Sequence, residues 1–341
     1  MVKIFAITSR GLEKVAAEEL DQVPGMTVET IQYRRISGPF DGALADLLSL
    51  RTVDDVFVQA AEWDQIVPQR QALQQIESLS RQLNLHQPLK RILKDRSIRQ
   101  QDRFSVTANF VGKRNYSMDE IKAAAAVGIS ARYHWQYQAN DEDSEINVRI
   151  FIEHEKAYVG LRIGAGPLHR RKYKQEHLPG SLKPTVAAAL LRFGDVKPGM
   201  RLLDPFCGAG TILIEGALQG AHAAGGDLNP EAVQAARTNA TFAGAGVGLH
   251  VWDARNLPVN NGAADRVVTN LPWGRQITTA CPLDEFYREL CLEIERVLAQ
   301  PGKAVLLTSS PDLIRFDGMT LEQETEVSVF GQNPKVLVFS K

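Results

Sequence analysis

Three aspartates in the C-terminal half of the chain have the residue type and spacing of a ligand site. Asp204 ends an apolar run and precedes the turn Gly208-Ala209-Gly210, Asp227 follows in GGDLNP, and Asp253 follows the next apolar run in VWDARNLP. Each is predicted to end a β-strand. Because the carboxyl ends of parallel strands meet at one edge of a sheet, where ligands bind, the pattern predicts one site with three carboxylates.

The charge of Asp204 decides which nucleotide this site can take. A dinucleotide site needs G-x-G-x-x-G and places a pyrophosphate at the helix N-terminus, but no third glycine follows Gly210. Asp204 would repel a pyrophosphate and attract an ammonium group such as that of S-adenosylmethionine. No Gly-Lys-Ser/Thr follows the turn, which excludes a P-loop. We therefore expect S-adenosylmethionine, with Asp227 accepting from the ribose hydroxyls and Asp253 from the adenine amino group. Taken alone, Asp227 and Asp253 could each be only a helix-start or turn residue.

A second motif, Asn270-Leu271-Pro272-Trp273-Gly274, follows the run DRVVTN and indicates where a methyl group would go. Methylation of an exocyclic amine needs acceptors for its N–H bonds and a flat surface to hold the base. The Asn270 side chain and a backbone carbonyl of Leu271 or Pro272 supply acceptors, and Trp273 supplies a stacking surface. Asn270 is too weak a base to remove a proton first, so the proton is expected to leave after methyl transfer.

The cysteines do not favour another chemistry. Cys207, Cys281 and Cys291 form no C-x-x-C pair, so neither a disulfide framework nor a metal site is expected. Cys207 and Cys281 are both weak candidates for a nucleophile. Charges at the N-terminus argue against a signal peptide, and no apolar run is long enough for a membrane span, so a cytoplasmic protein is expected.

The elements that would position these motifs form an α/β alternation from Thr185 onward: five strand segments separated mostly by helices, then two strands near 324–330 and 335–340. This predicts a parallel sheet with an antiparallel hairpin at its edge. The 341 residues suggest two or three domains, and residues 1–62 and 63–164 are expected to form two smaller α+β modules. Residues 165–183 are predicted to be a linker before a domain at 184–341. The net charge of −1 shows no basic excess, but residues 86–175 hold 17 basic and 10 acidic residues.

The stretches DPFCGAGTILIEGA, GGDLNPEAVQAARTNA and NLPWG, with LHRRKYKQEHLPGSLKPTVAAALL upstream, resemble the THUMP-containing, Rossmann-fold guanine-N2 methyltransferases of tRNA. The resemblance is strongest over residues 165–275 and looser over 1–160. It implies a ferredoxin-like N-terminal module, a THUMP domain that holds the 3′ end of the RNA, and a Rossmann-like methyltransferase domain. Relatives often carry Asp or a second Pro in the NLPW motif and Tyr or Phe at its end, so this chain is a variant.

The resemblance also implies site residues. The cofactor contacts would be Thr185, Asp204, Pro205, Cys207, Gly208, Gly210, Thr211, Asp227, Leu228, Asp253, Ala254 and Asn270. The catalytic motif would be Asn270, Leu271, Pro272 and Trp273. The RNA contacts would be Lys90, Arg91, Lys94, Arg96, Lys113, Arg114, Arg170, Arg171, Lys172, Lys174 and Arg275.

From these residues we expect a monomeric enzyme that forms N2-methylguanosine in the acceptor stem of tRNA, near its sixth nucleotide. Reaching an amine in a duplex requires extruding the base. The basic runs could instead be solvated surfaces. The open alternatives are another tRNA position, ribosomal RNA, adenine N6, or a non-catalytic RNA-binding protein.

Overall fold

The computed structural model describes residues 1–99, 102–273 and 282–341. The chain divides into two compact units. One contains Met1–Thr8 and Ala16–Leu168, and the other contains Ser9–Val15 and His169–Lys341. The predicted linker therefore contributes residues 169–183 to the second unit. Within the described ranges, no helix is both long and apolar enough to cross a membrane.

The first unit is built on one eight-stranded sheet with the order β2-β3-β1-β4-β8-β7-β5-β6. Its strands are β1 (Val2–Ile7), β2 (Thr30–Gln32), β3 (Arg35–Phe40), β4 (Asp55–Trp63), β5 (Arg103–Val111), β6 (Gln136–Tyr137), β7 (Ile146–Glu153) and β8 (Lys156–Arg162). The helices of this half of the chain are α1 (Glu13–Asp21), α2 (Leu44–Leu47), α3 (Ala72–Gln82), α4 (His86–Ile92) and α5 (Met118–Tyr133). Helix α5 begins with a capping box between Ser117 and Glu120.

The two predicted modules of residues 1–62 and 63–164 share this sheet, because β4 of the first pairs with β8 of the second from Phe57 to Trp63. The sequence does not predict strand β3, since RISGPF contains glycine and proline, which are rare in strands. Six register positions with β1 nevertheless hold it in the sheet.

The second unit has the expected α/β alternation. Its elements are α6 (Pro184–Phe193), β9 (Arg201–Asp204), α7 (Thr211–Leu218), β10 (His222–Asp227), α8 (Pro230–Ala243), β11 (Val247–Val251), β12 (Ala264–Asn270), α9 (Leu283–Val297), β13 (Leu298–Thr308), β14 (Thr320–Glu326) and β15 (Lys335–Ser340). The sheet order is β11-β10-β9-β12-β13-β15-β14.

The strands β9 to β13 are parallel, and β15 is inserted antiparallel between β13 and β14. The predicted parallel sheet with an antiparallel edge hairpin is therefore confirmed. Strand β14 begins at Thr320 and ends at Glu326, earlier at both ends than the segment 324–330 predicted for it. Beyond Glu326 the hairpin continues through hydrogen bonds of Val327 with Pro334 and of Val329 with Gln332. Separate apolar clusters, one around Leu190 and Val268 and one around Leu290 and Leu306, pack within this unit.

Candidate active site

Asp204 lies at the carboxyl end of β9 and is fully buried. Its Oδ1 accepts a hydrogen bond from the Phe206 backbone N–H at 3.1 Å. Burial raises the pKa of Asp204 from 3.8 to about 7, and the nearby charge of Asp227 adds to this effect. A buried carboxylate without a cation is unfavourable, so Asp204 favours a positively charged ligand.

The glycine turn after Asp204 opens the backbone toward this space. Gly208 has φ +49°, and a Cβ placed on it would meet no atom within 4 Å. Gly210 has φ +80°, and a Cβ there would come within 3.0 Å of the Ala236 Cβ. Gly208 therefore leaves room for a ligand, whereas Gly210 allows the start of α7 to approach α8 closely.

Asp227, at the end of β10, braces the same turn. Its Oδ2 accepts from the Gly208 backbone N–H at 3.0 Å, and its Oδ1 accepts from the Asn229 backbone N–H at 3.0 Å. Asn229 in turn caps α8 by accepting from the Glu231 backbone N–H at 2.9 Å. The sequence GGDLNP thus contains a helix start and a carboxylate that lines the cavity, and the two roles belong to different residues.

Asp253 is held by a residue that the sequence reasoning missed. Arg255 donates to it from the backbone N–H, from Nε and from Nη2, the last at 2.7 Å. These hydrogen bonds and the arginine charge hold the pKa of Asp253 below its usual value. Arg255 also contacts Glu289 at 3.3 Å and lies over the ring of Phe286. Asp253 therefore stays ionised, with its orientation fixed by Arg255.

These groups line one cavity of about 730 Å³. The expected cofactor residues that line it are Asp204, Pro205, Cys207, Gly208, Thr211, Asp227, Leu228, Asp253, Ala254 and Asn270. Thr185 and Gly210 do not line it; Thr185 lies buried in α6. Lining residues that the sequence reasoning missed include Phe206, Asn229, Arg255 and Phe286.

One side of the cavity is formed by residues 178–182, which the sequence indicated only as part of a linker. The fully buried Asn239 of α8 holds the preceding residues in place. Its Oδ1 accepts from the backbone N–H groups of Gln175 and Glu176 at 2.9 Å, and its Nδ2 donates to the carbonyls of Glu176 at 3.1 Å and Ala209 at 3.0 Å. Asn239 thus ties this strap, residues 175–182, to the glycine turn.

A second buried group, Glu215 of α7, anchors the start of the strap. It accepts from the Tyr173 hydroxyl at 2.8 Å and contacts the Arg171 Nε at 3.5 Å. Lys174 donates to the Leu182 carbonyl, and burial lowers its pKa to about 8. Arg171 therefore contacts α7 just before the strap, and Lys174 is bonded to the far end of the strap, whereas Lys172 is exposed.

The NLPW motif leaves the end of β12 beside the cavity, and its four residues have different surroundings. Asn270 and Pro272 line the cavity, whereas the Leu271 side chain is fully buried in the core. The Asn270 Oδ1 is buried and has no hydrogen-bond partner within the described ranges. The Pro272 carbonyl accepts from the buried Tyr287 hydroxyl at 3.3 Å. Trp273 is half-buried and does not line the cavity.

The arrangement fits S-adenosylmethionine. Asp204 offers a buried negative charge for the ammonium group, Asp227 and Asp253 offer acceptors for ribose hydroxyls and an amino group, and Gly208 allows close approach of the ligand to the backbone. Within the same described ranges no cluster of three or more metal-ligating side chains occurs. Burial raises the pKa of the Cys207 thiol, which keeps it protonated. Cys281, the other weak candidate, lies outside the described residues, as does Arg275.

The basic residues expected to contact RNA in the first unit have two kinds of surroundings. Three arginines donate to backbone carbonyls: Arg91 to that of Gly42, Arg96 to those of Gly164 and Glu145, and Arg114 to those of Ile66, Val67 and His154. Lys90, Lys94 and Lys113 are exposed, as is Arg170 in the second unit. The arginines therefore have a structural role.

Comparisons with known proteins identify the family of the chain. The UPF0020 family model, described as an RMKL-like methyltransferase domain, matches residues 171–332. The tRNA (guanine(6)-N2)-methyltransferase of Thermus thermophilus is 31% identical over 245 residues, which cover 70% of this chain and 72% of that protein. Human tRNA (guanine(6)-N(2))-methyltransferase THUMP3 is 30% identical over 60% of this chain, which spans 43% of the human protein.

A solved structure extends the likeness to the whole chain. The crystal structure of TrmN from Thermus thermophilus superposes with a TM-score of 0.81 at 26% sequence identity, covering 100% of both chains. The chain therefore belongs to the family of Rossmann-fold methyltransferases that includes tRNA (guanine(6)-N2)-methyltransferase, and it is an S-adenosylmethionine-dependent enzyme.

Proposed function

We propose that the protein methylates the N2 amine of a guanine in tRNA, at position 6 of the acceptor stem. The names of the Thermus and mammalian relatives support the substrate and the position. We further propose that residues 1–62 form a ferredoxin-like module and that residues 63–164 form a THUMP domain that holds the 3′ end of the RNA. The exposed Lys90, Lys94 and Lys113 are candidate phosphate contacts there.

The observation that carries the proposal is the buried Asn270 Oδ1, which lacks a hydrogen-bond partner in the described part of the chain and belongs to a residue that lines the cofactor cavity. Leaving a buried acceptor unpaired costs about 1–3 kcal/mol. A ligand that brings an N–H donor removes this cost. The exocyclic amine of guanine carries two such donors, and one of them fits Asn270.

The second N–H of the amine would be accepted by the Pro272 carbonyl. That oxygen already accepts from the Tyr287 hydroxyl, and its second lone pair can take another donor. Two fixed acceptors hold both N–H bonds and turn the nitrogen lone pair away from them, toward the cavity. The bound S-adenosylmethionine supplies an electrophilic methyl group there.

The protein does not need a strong base for this step. Asn270 accepts hydrogen bonds but does not take up a proton at neutral pH. The amine nitrogen becomes positively charged and acidic once it has gained the methyl group, so its proton then leaves to water. Asn270 and Pro272 therefore orient the nucleophile rather than deprotonate it.

The proposal is tested with unmodified tRNA transcripts, S-adenosylmethionine carrying a labelled methyl group, and digestion of the product to nucleosides for mass spectrometry. The wild-type protein should form N2-methylguanosine, and transcripts with adenine at position 6 should gain no label. Asn270→Ala should bind cofactor and tRNA as the wild type does but lose at least 99% of the activity. Asn260→Ala, which removes an exposed asparagine of the same unit, is the matched control.

An Asn270→Ala enzyme that keeps more than a tenth of the activity would refute the role of the motif. Label in adenosine or in a pyrimidine would refute guanine N2 as the acceptor. Ribosomal RNA is the second candidate substrate, because the matching family model is RMKL-like and the ribosomal RNA large subunit methyltransferase K/L of Photobacterium profundum is 28% identical over 66% of this chain. Ribosomal RNA that lacks its methyl groups should be assayed in parallel.

A further inference from the structure

The hairpin between β14 and β15 projects from the same sheet edge as the NLPW motif. Strand β12 ends at Asn270, which lies beside Leu307 of β13, and Leu307 lies beside Val336 of β15. The last register pair of strands β14 and β15 is Glu326 with Lys335. Residues 327–334 therefore extend past the edge at which Asn270 leaves the sheet.

The tip of this hairpin carries an aromatic residue in an unfavourable backbone conformation. Val329 and Gln332 exchange both backbone hydrogen bonds at 3.0 Å, so Phe330 and Gly331 are the two central residues of the turn. Their φ angles are 54° and 75°. Positive φ at both positions is typical of a type I′ turn, in which Asn-Gly is strongly preferred. Phenylalanine is a poor choice for the first position, because a bulky side chain disfavours left-handed backbone.

The Phe330 ring is half-exposed, with 52% of its surface accessible, and it meets Trp273 edge-on. The two ring centroids lie 6.0 Å apart with an interplanar angle of 66°. Neither ring lines the cofactor cavity, whereas Asn270 and Pro272 do. Asn270 therefore lies at the cavity, and Trp273, three residues further along the motif, contacts Phe330.

We propose that Phe330 contacts the nucleic acid substrate by stacking on a base next to the extruded guanine. This inference rests on the proposed function, since it needs an RNA whose target base is held at Asn270 and Pro272. Extruding a base leaves its neighbours unstacked, and an exposed aromatic ring replaces the lost stacking. Strained residues are concentrated at functional sites, and Phe330 is such a residue, since Asn would suit the turn better.

The turn geometry supplies a variant that separates function from stability. Phe330→Asn creates the preferred Asn-Gly turn, so the hairpin should be at least as stable as in the wild type. The variant should nevertheless lower kcat/KM for unmodified tRNA about 5- to 150-fold, the range set by one base–aromatic stacking contact. Cofactor affinity should stay within twofold of the wild type. Phe330→Trp should retain most of the activity.

Phe242→Asn is the control, because it removes an aromatic ring that is 64% exposed on α8, away from the hairpin in sequence. It should behave as the wild type in methyl transfer. Phe330→Asn activity within twofold of the wild type would overturn the inference while leaving the proposed function intact. A lower melting temperature together with weaker cofactor binding in Phe330→Asn would also overturn it, since the ring would then only support Trp273. A wild-type protein that methylates no tRNA would refute the proposed function itself.

Discussion

Replacing Asp204 by Asn should stabilise the ligand-free protein at pH 8 and abolish cofactor binding. Burial raises the pKa of Asp204 from 3.8 to about 7, so the folded state holds this carboxyl group in its neutral form more tightly than the unfolded chain does. Asn has nearly the same shape and no charge. Its side-chain oxygen can still accept from the Phe206 backbone N–H, as Asp204 does.

The sign and size of the effect follow from proton linkage. Because the pKa of Asp204 is higher in the folded state than in the unfolded chain, the free energy of unfolding is highest below pH 3.8. It falls as the pH rises toward 7. The shift is about 3 units, and each unit is worth about 1.4 kcal/mol, so the wild type loses about 4 kcal/mol by pH 8. The uncharged amide of the Asp204→Asn variant has no such loss. The variant should therefore exceed the wild type by about 4 kcal/mol at pH 8, but by only about 2 kcal/mol at pH 5.

Scanning calorimetry without cofactor, at pH 5 and pH 8, measures the difference in stability between the variant and the wild type at each pH. For a unit of this size, 4 kcal/mol corresponds to a rise of about 8–16 °C in the melting temperature. Addition of S-adenosylmethionine should then raise the melting temperature of the wild type but not that of the variant, because the buried charge that receives the ammonium group is gone. Isothermal titration calorimetry should show no binding to Asp204→Asn.

Asp253→Asn is a control for which the expected change in stability at pH 8 has the opposite sign. Arg255 lowers the pKa of Asp253, so this carboxylate adds stability above its unfolded pKa and loses it on acidification. Its side chain is partly exposed, so the loss at pH 8 should be below about 1 kcal/mol. The predicted effect of the Asp204 pKa would be refuted if the Asp204→Asn protein were less stable than the wild type at pH 8. It would also be refuted if the gain in stability were the same at pH 5 and pH 8.

Two further predictions concern residues that the sequence did not reveal. Asn239→Ala should weaken S-adenosylmethionine binding at least tenfold, because it removes the four hydrogen bonds that tie the strap at 175–182 to the glycine turn. Titration calorimetry measures this affinity, with Thr241→Ala, at an exposed position, as the control. Equal affinities of the two variants would contradict the prediction. Arg255→Met should allow the pKa of Asp253 to rise toward its ordinary value, so cofactor affinity should begin to fall at a higher pH than in the wild type. Cofactor affinities measured from pH 4 to pH 8, with Glu289→Gln as the control, test this. The prediction would be contradicted if the affinity of Arg255→Met and that of the wild type fell over the same pH range.

The parts of the site that could be predicted are those set by strand ends. Asp204, Asp227, Asp253 and Asn270 each close an apolar segment, and parallel pairing brings the carboxyl ends of such segments together whatever the details of packing. The strap could not be predicted this way. LPGSL contains the turn residues of an ordinary loop, and its place beside the cavity depends on Asn239, which lies 63 residues after Glu176 in the chain.

The basic residues show a second limit of sequence reasoning. Arg91 and Arg114 have the same residue type and neighbours as candidate phosphate contacts, yet their guanidinium groups donate to backbone carbonyls of distant loops. A lysine run and an arginine that ties loops together look alike in sequence, because the carbonyl partners are backbone atoms and leave no residue-type signal. Strand β3 was missed for a related reason, since its pairing with β1 outweighs the poor strand propensity of Gly38 and Pro39.

Asp204 and Phe330 are far apart in sequence and lie on different elements, yet at each position another residue type would make the protein more stable. The first is a carboxyl group whose burial opposes its charge, and the second is an aromatic residue in a turn that favours Asn. Both occur at the carboxyl edge of one sheet, on the cofactor side and on the proposed RNA side of Asn270. If ligand binding accounts for both, Asp204→Asn and Phe330→Asn should each keep or raise stability and lose a different ligand, the first S-adenosylmethionine and the second RNA. A common structural defect would weaken the binding of both ligands. The two variants together therefore test, more strictly than either one alone, whether S-adenosylmethionine and RNA bind on different sides of Asn270.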